Sequence, residues 1–482
     1  MQCRNCSGVN PGATRRQETI FRAGVHSWLP HRPRRAHGVT PARWAAFTIL
    51  LRVERESAYA IELLHSSLLD DLTAADRNLA NEIVMGVLRW RSLLDSAITE
   101  FLNIPFRKLD LEVMTALRMG GYQVAFLSRT PGHAIVNETV ELVKQSRKRS
   151  AATLVNAVMR KLEKARDRLR FTGQGIAADY AHPEWLVKRW EAELGHERAE
   201  QIRRYDQQVP ATVLRLGSAE EEEQLKSEGI QLAPGVLMKN ARIVTAGDVT
   251  KSPLFRNGRI AIQDEGSQLV AALVGQGQRI LDCCAAPGSK TGALATALPE
   301  AEIYAADVHP HRARLLRQMV PEINVHVITA DARQLPFAAE FDRVLADVPC
   351  SGTGTLARNP EIKWRLKPED LSDLQARQIA ILNAALRHVL PGGRLVYSTC
   401  SLEAEEDERV VEAVLQDNTA FRIVPVKEEL LRLQSSGVLV WKNLDQLVSG
   451  NFLRTFPGVQ PCDGFFAAIV ERNCPSTDWV NG

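Results

Sequence analysis

Two cysteines in this sequence stand where thiol chemistry could be done. Cys350 lies in Ala346-Asp347-Val348-Pro349-Cys350-Ser351-Gly352-Thr353-Gly354 and Cys400 in Tyr397-Ser398-Thr399-Cys400-Ser401. A single cysteine is most often a small buried hydrophobe. These two each follow an apolar run that reads as a strand, and open α/β sheets bind ligands outside the carboxyl ends of their strands, so both thiols and the Asp347 carboxylate are expected to face one crevice. The stretch from Arg279 to Thr291, with Asp282-Cys283-Cys284-Ala285-Ala286-Pro287-Gly288-Ser289-Lys290 at its centre, is an apolar strand that runs into small residues and then opens a helix. Such a turn brings backbone N–H groups up to a ligand. It matches neither GxxxxGK[ST] nor GxGxxG, which disfavours a phosphate cradle and leaves a nucleoside without phosphates. Asp307 ends the next apolar run, where an acid accepts hydrogen bonds from ribose hydroxyls. Asp331 follows the third, where it suits either a contact to an adenine amino group or a helix cap.

The elements that must position these residues alternate from Asp264 to the end of the chain, as a doubly wound α/β sheet requires. Seven strands are expected, at Arg279 to Cys283, Glu302 to Ala306, Val325 to Thr329, Arg343 to Asp347, Gly393 to Thr399, Phe421 to Val424 and Phe465 to Val470, with helices at His309 to Met319 and Pro368 to Val389. Upstream, residues 40–170 read as an all-helical domain of five or six helices. Thr73 is an N-cap with Asp76 three residues on, and Leu79, Ile83 and Val87 recur at one-turn spacing. Pro105, Gly120-Gly121 and Pro131-Gly132 are expected to punctuate the other helices. Between Lys144 and Arg170 stand ten Lys or Arg against Glu163 and Asp167, either a solvated face or an RNA-backbone contact surface. Residues around Phe171 to Ala178 read as a linker, and 171–262 as a small α+β domain with a helix from His182, a strand over Ala211 to Leu216, a helix over Glu220 to Glu228 and short strands ending near Ile262.

At 482 residues the chain exceeds what one hydrophobic core supports, so several domains are required. Apolar residues make up 45% and charged ones 24%, without a run long enough for a bilayer span, the pattern of a soluble globular protein. The net charge of +3 says little, so only the distribution of charge bears on nucleic acid. Eight cysteines are too sparse for a disulfide scaffold, and a reducing cytoplasm fits. The only CxxC pair, Cys3 and Cys6, has no second pair to complete a zinc site, so no metal is expected. Residues 1–39, Arg-rich and almost free of acids, read as a disordered basic tail or an upstream start, and also resemble a transit peptide.

Asp282 to Thr291, Asp347 to Cys350 and Thr399-Cys400 resemble the motifs of the RNA 5-methylcytosine methyltransferases of the Sun or RsmB family. Gln263 to Gln268 is similar to the helix that precedes that family's first strand, and Asp463 to Phe466 to its last strand. Leu79 to Trp90 resembles the most recognisable helix of the NusB RNA-binding fold. The likeness covers nearly the whole chain after residue 40, and the pairing of the two domains resembles the bacterial 16S rRNA enzyme. The resemblance implies a multidomain protein with an all-α NusB-like domain, a small α+β domain and, over 263–482, a Rossmann-like seven-stranded methyltransferase domain. It departs from the family at Ser289, where glycine is usual, at Asp407, where asparagine is usual, and at Phe456-Pro457-Gly458.

The same resemblance implies S-adenosylmethionine as cofactor, held by Cys284, Ala285, Ala286, Pro287, Gly288, Ser289, Lys290, Asp307, Asp331 and Asp347, and a 16S rRNA substrate, naked or early in assembly. It assigns Cys400 as the nucleophile that adds to C6 of cytosine, Cys350 as the aid to release, and Asp347 to the N3 and N4 edge of the base. Thiolate suits that addition because it adds readily to soft carbon and leaves again. The residues alone leave the two cysteine roles interchangeable. The expected protein is a cytoplasmic monomer that meets no membrane. Rival readings are the same reaction on tRNA, or a non-catalytic RNA-binding assembly factor. An amino-group methyltransferase is disfavoured because Asp347-Val348-Pro349-Cys350 lacks the aromatic that would stack its base.

Overall fold

A computed structural model describes residues 38–56, 58–169, 181–338 and 340–474. Cys3, Cys6, nearly all of the basic start and the segment read as a linker lie outside the described residues. Of the described residues, 38–54, 64–84 and 94–169 fall in one compact unit, and 55–63, 85–93 and 181–474 in another. None of their helices is long and apolar enough to cross a membrane.

The first unit is helical, built on α1 (Pro41–Glu56), α2 (Ala74–Arg89), α3 (Arg91–Thr99), α4 (Leu111–Phe126), α5 (Gly132–Gln145) and α6 (Ala152–Lys164). The Thr73 hydroxyl accepts from the Asp76 N–H at 3.1 Å and donates to the Asp76 carboxylate at 2.8 Å, a reciprocal cap that starts α2 where the spacing predicts it. Gly120 and Gly121 do not punctuate anything: both lie inside α4. The reason is packing. A Cβ at Gly120 would stand 2.6 Å from Met159 Cε and 2.7 Å from Thr139 Oγ1, so the bare backbone lets α5 and α6 close on α4. The close approach comes with the roughly 1 kcal/mol that glycine costs in a helix interior.

In the second unit, α7 (Glu184–Leu194) and α8 (His196–Asp206) precede a small antiparallel sheet of β1 (Val213–Arg215), β2 (Gln231–Pro234), β3 (Ala241–Ala246) and β4 (Ala261–Ile262), in the order β2-β3-β1-β4, with α9 (Ala219–Ser227) between β1 and β2. Glu265, at the start of α10 (Glu265–Leu273), accepts the N–H groups of Val236, Leu237 and Met238 at 2.9, 2.6 and 2.7 Å, tying this sheet to the next.

The large sheet follows as β5 (Arg279–Asp282), α11 (Ser289–Ala297), β6 (Glu302–Asp307), α12 (Pro310–Met319), β7 (Val325–Thr329), β8 (Phe341–Asp347), α13 (Asp370–Leu386), β9 (Val389–Thr399), α14 (Glu408–Leu415), β10 (Phe421–Val424), α15 (Val426–Ser435), β11 (Val448–Ser449), β12 (Phe452–Arg454) and β13 (Phe466–Arg472). Its order is β11-β12-β13-β9-β8-β5-β6-β7, with β10 also paired to β13. Strands β5 to β9 are parallel, and β13 runs antiparallel beside β9.

All seven expected strands are present, and two more join them. The hairpin of β11 and β12 turns on Gly450-Asn451 between paired Ser449 and Phe452. Its strands are too short to show alternation, although a Gly-Asn pair is itself a hairpin signal. The helix expected to reach Val389 stops at Leu386, and Val389 already pairs with Phe341. The strand is carried across Pro391-Gly392 by a register shift between Phe341 and Arg343, so it begins four residues before Gly393.

Candidate active site

The three central strands β5, β8 and β9 end side by side, and register pairs Asp347 with Ser398. The turns beyond them bring the two thiols together: Cys350 Sγ and Cys400 Sγ are 3.3 Å apart, close enough to share a proton. That hydrogen bond, then burial, pushes the Cys350 thiol well above its ordinary value. Asp347 is fixed from both sides, Oδ1 accepting from Ser398 Oγ at 2.8 Å and Oδ2 from Lys290 Nζ at 2.7 Å. Burial alone would lower Lys290, but the pair with Asp347 raises it, so the ammonium is retained. Lys290, expected among the cofactor ligands, therefore acts first on Asp347.

The backbone at the thiols admits no side chain where it crosses itself. Gly354 N–H donates to the Cys400 carbonyl at 2.9 Å, and Gly464 N–H to the Gly354 carbonyl at 2.8 Å. A Cβ at Gly354 would lie 2.3 Å from the Gly464 oxygen. Arg358 holds the rest of this loop, with Nε 2.8 Å from Asp463 and Nη2 3.1 Å from Asp264, which also caps α10 through the Gly266 N–H. The Gln263 to Gln268 and Asp463 to Phe466 motifs thus supply a brace for the loop after Cys350.

Behind the thiols lies a set of carboxylates that sequence reasoning missed. Glu406, fully buried, accepts from the Ser351 N–H at 2.8 Å, from Gln378 Nε2 at 2.9 Å and from Ser401 Oγ at 2.6 Å, and so joins the turn after β8, the turn after β9 and α13. Asp407, also fully buried, accepts from Thr399 Oγ1 at 2.5 Å and from Arg454 Nη1 at 2.6 Å, while Arg454 Nη2 donates to the Leu402 carbonyl. The aspartate found where the resembled family has asparagine is therefore neutralised within the fold. Glu403 accepts from Trp190 Nε1 and pairs with Arg189, anchoring α7.

At the β5 and β6 ends the groups are acids with acceptor capacity to spare. Asp282 is buried, its Oδ2 accepting from Thr291 Oγ1 at 2.7 Å, and its Oδ1 has no hydrogen-bond partner among the described residues. Burial raises its carboxyl to about 7. Asp307 Oδ1 accepts from the His309 N–H at 2.8 Å, while Oδ2 stands 3.8 Å from Arg312. Arg312 also donates to the Ala286 carbonyl at 2.8 Å, fixing the turn of Cys284, Ala285, Ala286, Pro287 and Gly288, whose Gly288 takes φ +116° as it starts α11 at Ser289. Asp331 is turned differently: it accepts from the N–H and the guanidinium of Arg333 and is half-exposed, capping a turn rather than a helix.

In the first unit the basic run sorts into two kinds. Lys144 pairs with Glu141, Lys148 with Asp110, and Arg166 donates to the Leu127 carbonyl. Arg160, Lys161 and Lys164 line the exposed face of α6, with Arg149 exposed just before it.

An open, mainly parallel sheet with its polar groups gathered at the strand ends, preceded by a helical unit, is the architecture this chain shares with a family of multidomain methyltransferases. A family model of 16S rRNA methyltransferases RsmB/F matches residues 271–471, and one of the NusB family matches residues 40–164. The chain is 33% identical over 452 residues to the probable ribosomal RNA small subunit methyltransferase B of Bacillus subtilis (strain 168), covering 90% of this chain and 99% of that one. It is 32% identical over 450 residues to ribosomal RNA small subunit methyltransferase B of Vibrio cholerae serotype O1, covering 88% and 98%. The chain belongs to the RsmB/F family of rRNA small subunit methyltransferases. Its fold matches the crystal structure of PH0851 with a TM-score of 0.74 at 23% identity, over 90% of this chain and 99% of that one.

Proposed function

We propose that the protein methylates C5 of a cytosine in 16S rRNA through a covalent adduct between Cys400 and C6 of the base, with S-adenosylmethionine as methyl donor. The observation that carries this reading is the thiol pair 3.3 Å apart beside a doubly held Asp347. The donor supplies a methyl group on a positively charged sulfur. Its own hydrogen-bond donors suit the acids at the β5 and β6 ends: the spare Asp282 oxygen would accept from the ammonium, and Asp307 Oδ2 from ribose hydroxyls. The turn from Cys284 to Ser289 would line it, and Asp331 would take the adenine amino group.

The Cys400 thiolate adds to C6, forming the C6–S bond and leaving C5 enamine-like, a carbon able to accept a methyl group. Asp347 holds the N3 and N4 edge, and a proton shared at N3 offsets the charge that builds during addition. Once C5 carries the methyl group its proton passes to solvent water, the C5–H electron pair forms the C5=C6 double bond, and the C6–S pair leaves on the Cys400 sulfur. Cys350, held protonated beside Cys400, assists that release and restores the thiol. RNA is gripped through the exposed cations Arg149, Arg160, Lys161 and Lys164, which track backbone phosphates. The enzyme acts as a cytoplasmic monomer on naked or early-assembly rRNA.

The test is to supply methyl-labelled S-adenosylmethionine with naked 16S rRNA and with bulk tRNA side by side, and to digest both to nucleosides. Label in 5-methylcytidine from 16S rRNA alone is expected. Label confined to tRNA would move the substrate, and label on N4 would overturn the covalent route.

A further inference from the structure

Beyond Cys350 the site opens into a second space, a cleft of about 330 Å³ lined among others by Tyr59, Cys350, Arg365, Asp373, Leu374 and Arg377. Cys350 lines it and Cys400 and Asp347 do not, so its room extends past the thiol pair on the Cys350 side.

One wall is an aromatic ring on a pinned backbone. Tyr59 belongs to the segment 55–63 that packs in the same compact unit as the large sheet. On one side of it the Ala60 N–H donates to Oε1 of buried Glu361 at 2.8 Å, and on the other the Arg365 guanidinium donates to the Ala58 carbonyl. The ring between them is 46% exposed, with the Arg365 guanidinium 5.4 Å from its centroid. Burial raises the phenol above its ordinary value; the Arg365 charge opposes this and the Cys350 and Cys400 thiols add to it, which sets Tyr59 within electrostatic reach of both sulfurs. An exposed aromatic held in place by its neighbours costs little ordering entropy when a planar group stacks on it.

Another wall is one face of α13, where Asp370, Asp373, Leu374 and Arg377 recur at helical spacing. Gln378, the next residue, donates from Nε2 to the Pro349 carbonyl and to Glu406, both at 2.9 Å, so this turn of α13 is fastened to the turn that carries Cys350. Arg377 is exposed and, among the described residues, makes no hydrogen bond or ion pair, although its charge reaches Asp331. The α13 wall of the cleft thus carries both signs: Asp373 and the free oxygen of Asp370, whose other oxygen accepts from the Lys367 N–H at 2.9 Å, repel phosphate and accept from base amino groups, while Arg377 offers a guanidinium.

We propose that this cleft seats the nucleotide adjoining the target cytosine in a single-stranded stretch of RNA, its base stacked on Tyr59 and its phosphate paired with Arg377. The inference rests on the proposed RNA substrate and adds a determinant of sequence context to it. Stacking tolerates any base, so Tyr59 supplies affinity, and the two aspartates favour a neighbour that presents an amino group.

The test combines RNA methylation kinetics with direct binding of a short single-stranded oligonucleotide containing one cytosine, for the wild type, Tyr59→Phe, Tyr59→Leu and Arg377→Gln. Tyr59→Leu is expected to raise the RNA KM and weaken oligonucleotide binding by about 5- to 150-fold, while Tyr59→Phe, which keeps the ring, stays near wild type. Arg377→Gln is expected to weaken binding and reduce the salt dependence by about 0.7 in the log-log slope. The KM for S-adenosylmethionine should be unchanged in all three. An unaffected RNA KM and oligonucleotide affinity in both Tyr59→Leu and Arg377→Gln would overturn the proposal, as would equal losses in Tyr59→Phe and Tyr59→Leu. If the wild type labels no cytosine C5 yet the oligonucleotide losses appear as stated, the cleft stands and the methylation reading falls; if the wild type methylates normally and the losses are missing, the reverse holds.

Discussion

At the β5 and β6 ends of the crevice each functional acid is set by the turn that follows its own strand, whereas at the β8 and β9 ends the thiol-bearing turns are held by charges buried behind them. Asp307 bonds the N–H two residues on, and Asp282 bonds a hydroxyl nine residues on in the next helix. Cys350 and Cys400 depend instead on Glu406, Asp407, Arg454 and Gln378, drawn from three further segments. Under the proposed function the two ends serve different tasks. A cofactor with many polar groups is bound by short, local acceptors that can be met one at a time. Two sulfurs that must share one base need their turns fixed against each other, which only long-range partners can do.

The largest effect should come from breaking that long-range frame. Burial pushes the Asp407 carboxyl well above its ordinary value and Arg454 opposes this, so Arg454→Met takes away the partner that favours its charged form, at a loss of up to about 3 to 5 kcal/mol by denaturant unfolding. Adding Asp407→Asn to it removes the carboxyl that has lost its partner and should recover most of the loss. If the single variant unfolds as the wild type does, the thiol end does not rest on this pair.

Asp307→Ala should do the opposite, sparing stability and removing an acceptor for ribose hydroxyls. Calorimetry should show S-adenosylmethionine binding weakened by roughly 1 to 3 kcal/mol for each hydrogen bond lost, with RNA binding unaltered. Equal losses of both ligands would erase the distinction between the two ends.

A smaller effect concerns Asp282. Its folded carboxyl titrates at about 7 against an ordinary 3.8, so between these two pH values the folded state holds a proton that the unfolded state has released. Stability therefore falls as pH rises through that window, by up to about 1.4 kcal/mol per pH unit. Asp282→Asn keeps an acceptor for Thr291 and should flatten the slope there. An unchanged slope would mean that Asp282 is ionised in the fold and less enclosed than its burial indicates.

How much of this was legible in the sequence follows the same division. The strands carrying Asp282, Asp307, Asp347, Cys350 and Cys400 could be read because each is an apolar run ending at a turn, and the Thr73 cap because its partner is three residues away. Nothing in the acid-rich run from Glu403 to Glu408 marks which of its acids are enclosed, yet Glu403, Glu406 and Asp407 are fully buried. Arg454, which neutralises Asp407, lies 47 residues further along, and no local pattern links the two. Gly120 was misread for a related reason: a glycine that breaks a helix and one that lets two others approach look identical until Met159 and Thr139 are in place. The pairing of Lys290 with Asp347 also needed the fold, since in sequence Lys290 belongs with the glycine turn.

The central claim is that Cys400 attacks and Cys350 releases, and it is tested most directly by looking for trapped protein–RNA adducts in denaturing gels after incubation with 16S rRNA and S-adenosylmethionine. Cys350→Ala should still add to C6 and accept the methyl group but release slowly, so a denaturant-resistant species accumulates. Cys400→Ala should give none. An adduct with Cys400→Ala and not with Cys350→Ala would reverse the two roles, and methylation by both variants with no adduct in either would contradict covalent catalysis at this site.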